Sequence, residues 1–174
     1  MTNQVPNPVT PMTRLLLVAT LALLSAPSAF ADDAYIDDRS TATSVISSFY
    51  NAIARQALTR AWSYYKHDEL SDAELKTQFD DFAQGYADTA SVTVLTGEEV
   101  ADGAAGSVYY KLPVAIDAVS ASGTHTQFAG CYTLKLVQPA NQILPPFSPL
   151  HIEDGQLEPA EGELAAILPL DCPD

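Results

Sequence analysis

Between Ser107 and Val137 apolar and polar side chains alternate almost one for one. Val108, Tyr110, Leu112, Val114 and Ile116 share one parity, while Ser107, Tyr109, Lys111, Pro113, Ala115 and Asp117 share the other. Successive side chains of a strand point to opposite faces, so this pattern predicts a sheet with one buried side. The second half repeats it: Phe128, Gly130, Tyr132, Leu134 and Leu136 fall on the apolar parity, and His125, Gln127, Cys131, Thr133 and Lys135 on the other. The intervening Ser120, Ala121, Ser122 and Gly123 are turn formers. The expectation is an antiparallel hairpin with strands Ser107–Val119 and Thr124–Val137. Pro113 has no amide hydrogen for a ladder, so it must face an open edge or an irregularity; the unbroken alternation favours the open edge.

Upstream, the period changes to that of a helix. Ala42, Val45, Ile46, Phe49, Ile53 and Ala57 recur every three or four residues, and Leu58, Ala61, Trp62 and Tyr65 continue the spacing after a break near Gln56. A further helix starts at Ser71, which has Glu74 three residues on as a capping box and Leu70 with Leu75 as a staple. Its apolar stripe is Leu75, Phe79, Phe82 and Tyr86. A strand is expected over Ser91–Thr96, a loop over Gly97–Gly106, a proline-rich connection over Pro139–Pro149 and a last strand over Leu150–Leu157. Two amphipathic helices and one amphipathic hairpin predict an α+β fold, with N-terminal helices packed on one face of a curved, cone-like antiparallel sheet.

The N-terminus reads as an export signal. Arg14 precedes the apolar run Leu15–Leu24, and Ala29, Phe30 and Ala31 form a small-residue cleavage site. The apolar run is short for a bilayer span, although a retained anchor is the alternative. The expected organisation is a signal peptide over 1–31, a disordered start over 32–40, one α+β domain over 41–157 and a tail over 158–174. The expected location is the periplasm or the exterior. Eight basic residues against 22 acidic ones give the chain a net charge of −14, and Arg14 is the only charged residue in the removed segment. That balance excludes nucleic acid and anionic membrane surfaces as partners. An exported chain with two cysteines, Cys131 and Cys172, is expected to pair them, two free thiols being the alternative. A loop of about 40 residues would then be closed, worth roughly 4 kcal/mol in the chain-entropy account. Cys131 has the polar parity, so the tethered tail must cross the outer face of the hairpin and obstruct it. A monomer or weak dimer is the expectation.

Val45-Ile46-Ser47-Ser48-Phe49-Tyr50-Asn51-Ala52-Ile53, Ala61-Trp62-Ser63-Tyr64-Tyr65 and Glu74–Gly85, followed by long strands, resemble the nuclear-transport-factor-2-like superfamily of cystatin-like cones. The nearest likeness is to the small N-terminal domains of penicillin-binding transpeptidases, with no transpeptidase activity expected here. The resemblance spans roughly Thr41 to Leu157. It implies a cone with an internal hollow, a shape that serves enzymes, binding modules and spacers alike.

Enzymes of that superfold place an acid or base on the inward face of the long strands. Here Tyr110 and Tyr132 are the only polar tips on that face, while Asp117, Lys111, Lys135 and His125 have the outward parity. His67, His125 and His151 lack metal-ligand spacing. His151 and Glu153 share a parity on the last strand and are expected as exposed edge residues, a pocket mouth being the alternative. No catalytic residue, metal or cofactor is assigned. Trp62, Tyr65, Tyr86, Tyr110 and Tyr132 are the candidates to line a pocket. The expected function is an exported, non-catalytic module that binds a small apolar or aromatic ligand or an envelope protein. The alternatives are a small isomerase- or dehydratase-like enzyme and an envelope scaffold without a ligand.

Overall fold

The computed structural model describes Met1 and residues 34–67 and 70–173. The predicted export signal, apart from Met1, lies outside those residues. The chain is α+β. Three helices, α1 (Ala42–Ala54), α2 (Leu58–Trp62) and α3 (Asp72–Gly85), precede five strands: β1 (Thr89–Thr96), β2 (Val100–Ala104), β3 (Ser107–Ser120), β4 (His125–Val137) and β5 (His151–Ala160). A short α4 (Leu164–Ile167) follows. The strands form one curved antiparallel sheet in the order β1-β3-β4-β5, with β2 also paired to β3.

The predicted hairpin is the spine of this sheet. Its register pairs Leu112 with Tyr132, Val114 with Gly130 and Ile116 with Phe128. The shared parity sends Leu112, Val114, Ile116, Tyr132 and Leu134 into the core, where each is at most 2% exposed. α1 lies on that face. Thr41 caps it by accepting from the Ser44 amide, and Val45, Ile46, Phe49 and Ile53 are fully buried with the sheet residues in one cluster. The helix ends at Ala54 with Arg55 as its C-cap, and the left-handed φ of 53° at the next residue, Gln56, turns the chain into α2.

Two expectations about the sheet change. The stretch Gly97–Gly106 is not all loop: β2 occupies Val100–Ala104 and makes a tight hairpin with β3 through Ala105 and Gly106, both at positive φ. All five β2 residues are exposed and mostly small or acidic, so burial imprints no alternation on them. Pro113 does not face an open edge. β3 is an interior strand, and Pro113 falls where its neighbour changes from β2, which ends its pairing at Lys111, to β1, which begins at Val114. The Pro113 carbonyl accepts from the Gly97 amide at 2.8 Å, so its nitrogen faces this gap, where no ladder bond is lost.

The tail crosses the outer side of the hairpin. Cys131 and Cys172 form a disulfide, Lys111 Nζ donates to the Pro173 carbonyl at 2.8 Å, and α4 packs on β3. Pro113 and Ala115, on the outward parity, are consequently buried. At the other terminus, residues 34–40, expected to be disordered, lie against α1. Asn51 Nδ2 donates to the Ala34 carbonyl, the Ile36 amide donates to Asn51 Oδ1 and the Asp38 amide to Ser48 Oγ. The Arg39 guanidinium sits 4.1 Å from the centre of the Tyr64 ring.

Candidate functional site

α3 is placed differently from α1. Its capping box is complete, with Ser71 and Glu74 each bonding the other's backbone. The Ser71 hydroxyl and then the Ser71 amide, both donating to the Glu74 carboxylate, hold that carboxyl below its usual pKa. Yet no α3 residue is buried. Its stripe touches the rest of the molecule through aromatic rings: Phe82 lies 5.0 Å from Trp62, 5.0 Å from Tyr86 and 6.3 Å from Phe49. Phe49 is the hub, with Tyr50, Tyr64, Tyr65 and Tyr86 also around it at 4.8 to 6.4 Å. α3 therefore stands off the sheet on a layer of ring edges.

The space left between the end of α3, β1 and the tip of the β3–β4 hairpin is a cavity of about 510 Å³. Tyr50, Phe82, Tyr86, Ile116, Phe128 and Leu157 are among its walls. The rim is polar, with Asp81 and Asp88 on the α3 side and Thr89, Ser120, Thr124 and Thr126 on the strand side. A hollow of similar size on the outer side of the sheet, beside His125 and Gln127, has no aromatic wall.

Behind the cavity, Tyr50 and Tyr132 join hydroxyl to hydroxyl at 2.6 Å. Both rings are nearly fully buried, at 5% and 2% exposure. Burial, and then the neighbouring tyrosines, push both hydroxyls well above the usual tyrosine pKa; burial likewise raises Tyr65 and Tyr86. The cluster is thus a neutral set of hydroxyls that donates and accepts hydrogen bonds without carrying charge. The Tyr132 ring covers Gly155 on β5, where a Cβ would come within 2.5 Å of it. Only a glycine there lets the ring lie flat against the sheet.

Of the five pocket residues expected from the sequence, Tyr86 lines the cavity. Tyr132 sits behind its wall through Tyr50. Tyr65 packs between Phe49, Trp62 and Phe82 and lines a separate hollow with Lys66 and His67. Trp62 stacks on His67 with centroids 4.0 Å apart, and Tyr110 is a half-buried neighbour of the core. The structure therefore does not gather the five into one site. Tyr50 was absent from that set although it lies four residues after Ile46 and three before Ile53, a spacing that marks a second inward column of α1.

The outward ionisable residues lie where parity places them. His125 Nδ1 is 2.9 Å from Asp117 Oδ2, with the histidine side chain 62% exposed. His151 differs from expectation: it is buried, 3% exposed, with Nδ1 2.9 Å from the Pro149 carbonyl. Its ring borders a hollow shared with Arg39, Ser63 and Tyr65, an environment made by tertiary structure that strand parity does not show. Among the described residues there is no group of three or more His, Cys, Asp or Glu placed to hold a metal ion, and no helix long and apolar enough to cross a membrane. No protein-family model, curated protein or solved structure matches this chain.

Proposed function

We propose that this chain is an exported, non-catalytic module that holds a small apolar or aromatic ligand in the cavity beneath α3. The observation that carries the reading is the cavity itself. Its volume of about 510 Å³ falls within the span of small-molecule sites, which run from roughly 300 to 1,000 Å³. It combines apolar and aromatic walls with polar groups confined to the rim, the usual composition of such sites. The export part of the proposal draws support from the Cys131–Cys172 disulfide, because disulfides persist in oxidising compartments. The kinship with nuclear-transport-factor-2-like cones belongs to the same proposal and draws on the order of elements, helices first and then a curved sheet.

A second reading, a small isomerase- or dehydratase-like enzyme, is favoured by the Tyr50–Tyr132 pair lying behind a cavity that has two carboxylates on its rim. Such an enzyme needs a base within hydrogen-bond reach of the substrate proton, and both aspartates are exposed.

The binding reading is tested with the neutral fluorophore N-phenyl-1-naphthylamine. Fluorescence should rise on titration with the oxidised protein, and Ala118→Trp, which fills the cavity from β3, should abolish the rise while leaving the circular dichroism unchanged. Equal binding by a folded Ala118→Trp protein would place the dye elsewhere and defeat the reading.

A further inference from the structure

We infer that the ligand of this cavity is a cation, with an apolar or aromatic body and a protonated amine or quaternary ammonium at one end. This rests on the proposed binding function and adds the charge of the ligand to it. Among the described residues that line the cavity, the only formal charges are the carboxylates of Asp81 and Asp88. Lys76 is the one basic residue of α3, and it is ion-paired with Asp80 on the exposed side of the helix. The strand side of the rim supplies hydroxyls, from Thr89, Ser120, Thr124 and Thr126.

The walls point the same way. Tyr50, Phe82, Tyr86 and Phe128 present aromatic rings to the cavity. An aromatic face is negative and attracts an ammonium group, whereas a carboxylate gains nothing from it. Behind the wall, the Tyr50 and Tyr132 hydroxyls are already bonded to each other. With one hydroxyl hydrogen used within the pair, only the other is left to donate to an anion. Over longer range, a chain with net charge −14 repels anions and draws cations towards any opening. An apolar cation can thus bury its body against Ile116 and Leu157 and keep its charged end between Asp81 and Asp88. A neutral ligand of the same shape takes up only the first of these interactions.

Three probes of one shape separate the possibilities: 2-naphthylmethylammonium, the neutral 2-naphthylmethanol and the anion 2-naphthoate. Binding of each to the oxidised full-length protein is measured by calorimetry at low salt and at 0.5 M NaCl. The ammonium should bind most tightly and the carboxylate least. Raising the salt, or making Asp81→Asn and Asp88→Asn together, should remove the advantage of the ammonium over the alcohol, at about two- to fivefold for each carboxylate. Both aspartates are exposed, so the double variant keeps the fold, and the salt series tests the same point on the unaltered protein. Equal affinity for ammonium and alcohol, or tightest binding of the carboxylate, overturns the inference and leaves the apolar-ligand reading standing. Binding of none of the three overturns both.

Discussion

α1 and α3 are close in length, both are amphipathic and both carry a side-chain N-cap, yet they hold opposite positions in the fold. Eight of the thirteen α1 residues are buried, while none of the fourteen in α3 is. The better-capped helix is the less buried one. A capping box satisfies the orphan amides of a first turn and so fixes where a helix begins. Whether that helix packs depends on what faces its apolar stripe. α1 faces Leu112, Val114, Ile116 and Leu134, whereas α3 faces other rings and a hollow. Helix formation and helix burial are separate properties, and in this chain the gap between them is the candidate site.

The comparison is broken most directly at its hub. Phe49→Ala should cost about 3–5 kcal/mol, as for other fully buried phenylalanines, because five aromatic rings lose a shared neighbour. Phe79→Ala on the half-exposed α3 stripe should cost only about 1 kcal/mol. Chemical denaturation of the two variants measures the difference, and equal costs would mean that α3 is packed as firmly as α1.

The tyrosine layer between the helices sharpens the contrast by its response to alkali. Tyr50, Tyr65, Tyr86 and Tyr132 have hydroxyl pKa values raised in the folded state above the unfolded value near 10. The folded protein then binds more protons than the unfolded chain above pH 10, so the stability these groups contribute is intact below pH 10 and is lost as pH rises beyond it. Each tyrosine that stays protonated in the fold while ionised in the unfolded chain steepens the loss by about 1.4 kcal/mol per pH unit. Tyrosinate absorbance of the buried set should rise late, together with unfolding. Simultaneous titration of all tyrosines in a protein still folded would contradict this.

An effect as small as that of Phe79→Ala is expected at the cap. Ser71→Ala removes an exposed N-cap and should cost about 1 kcal/mol. Because α3 adds little burial, the loss should appear as faster amide exchange within α3 before it appears in the global unfolding midpoint.

Much of this fold was legible in the sequence because burial had written a period into it. The alternation from Val108 to Leu136 gave the hairpin, its inward face and the outward placement of Asp117 and His125. The spacing in α1 and the capping box of α3 gave the helices. What stayed hidden carried no period. β2 is exposed on both faces, so its residues are under no demand to alternate. Pro113 reads as an edge residue until it is seen that its partner strand is interrupted at Gly97. The candidate site was legible only in part, since a cavity is a place where elements fail to meet, and no single element records that failure. Tyr86 was found from its stripe, but Asp81 and Asp88 belong to the rim only because α3 stands away from β3.

Gln56 occupies the joint between these regions. From its left-handed backbone its side-chain amide donates to the Thr89 carbonyl at 2.7 Å, to Tyr86 at 3.2 Å and to Ile53 at 3.4 Å. One residue thereby moors the rear of α3 and the root of β1 to the end of the best-packed helix. The width of the doorway at that corner is set by this mooring at the end of α1, so a change meant to enlarge the entrance would act more directly at this anchor than at the rim.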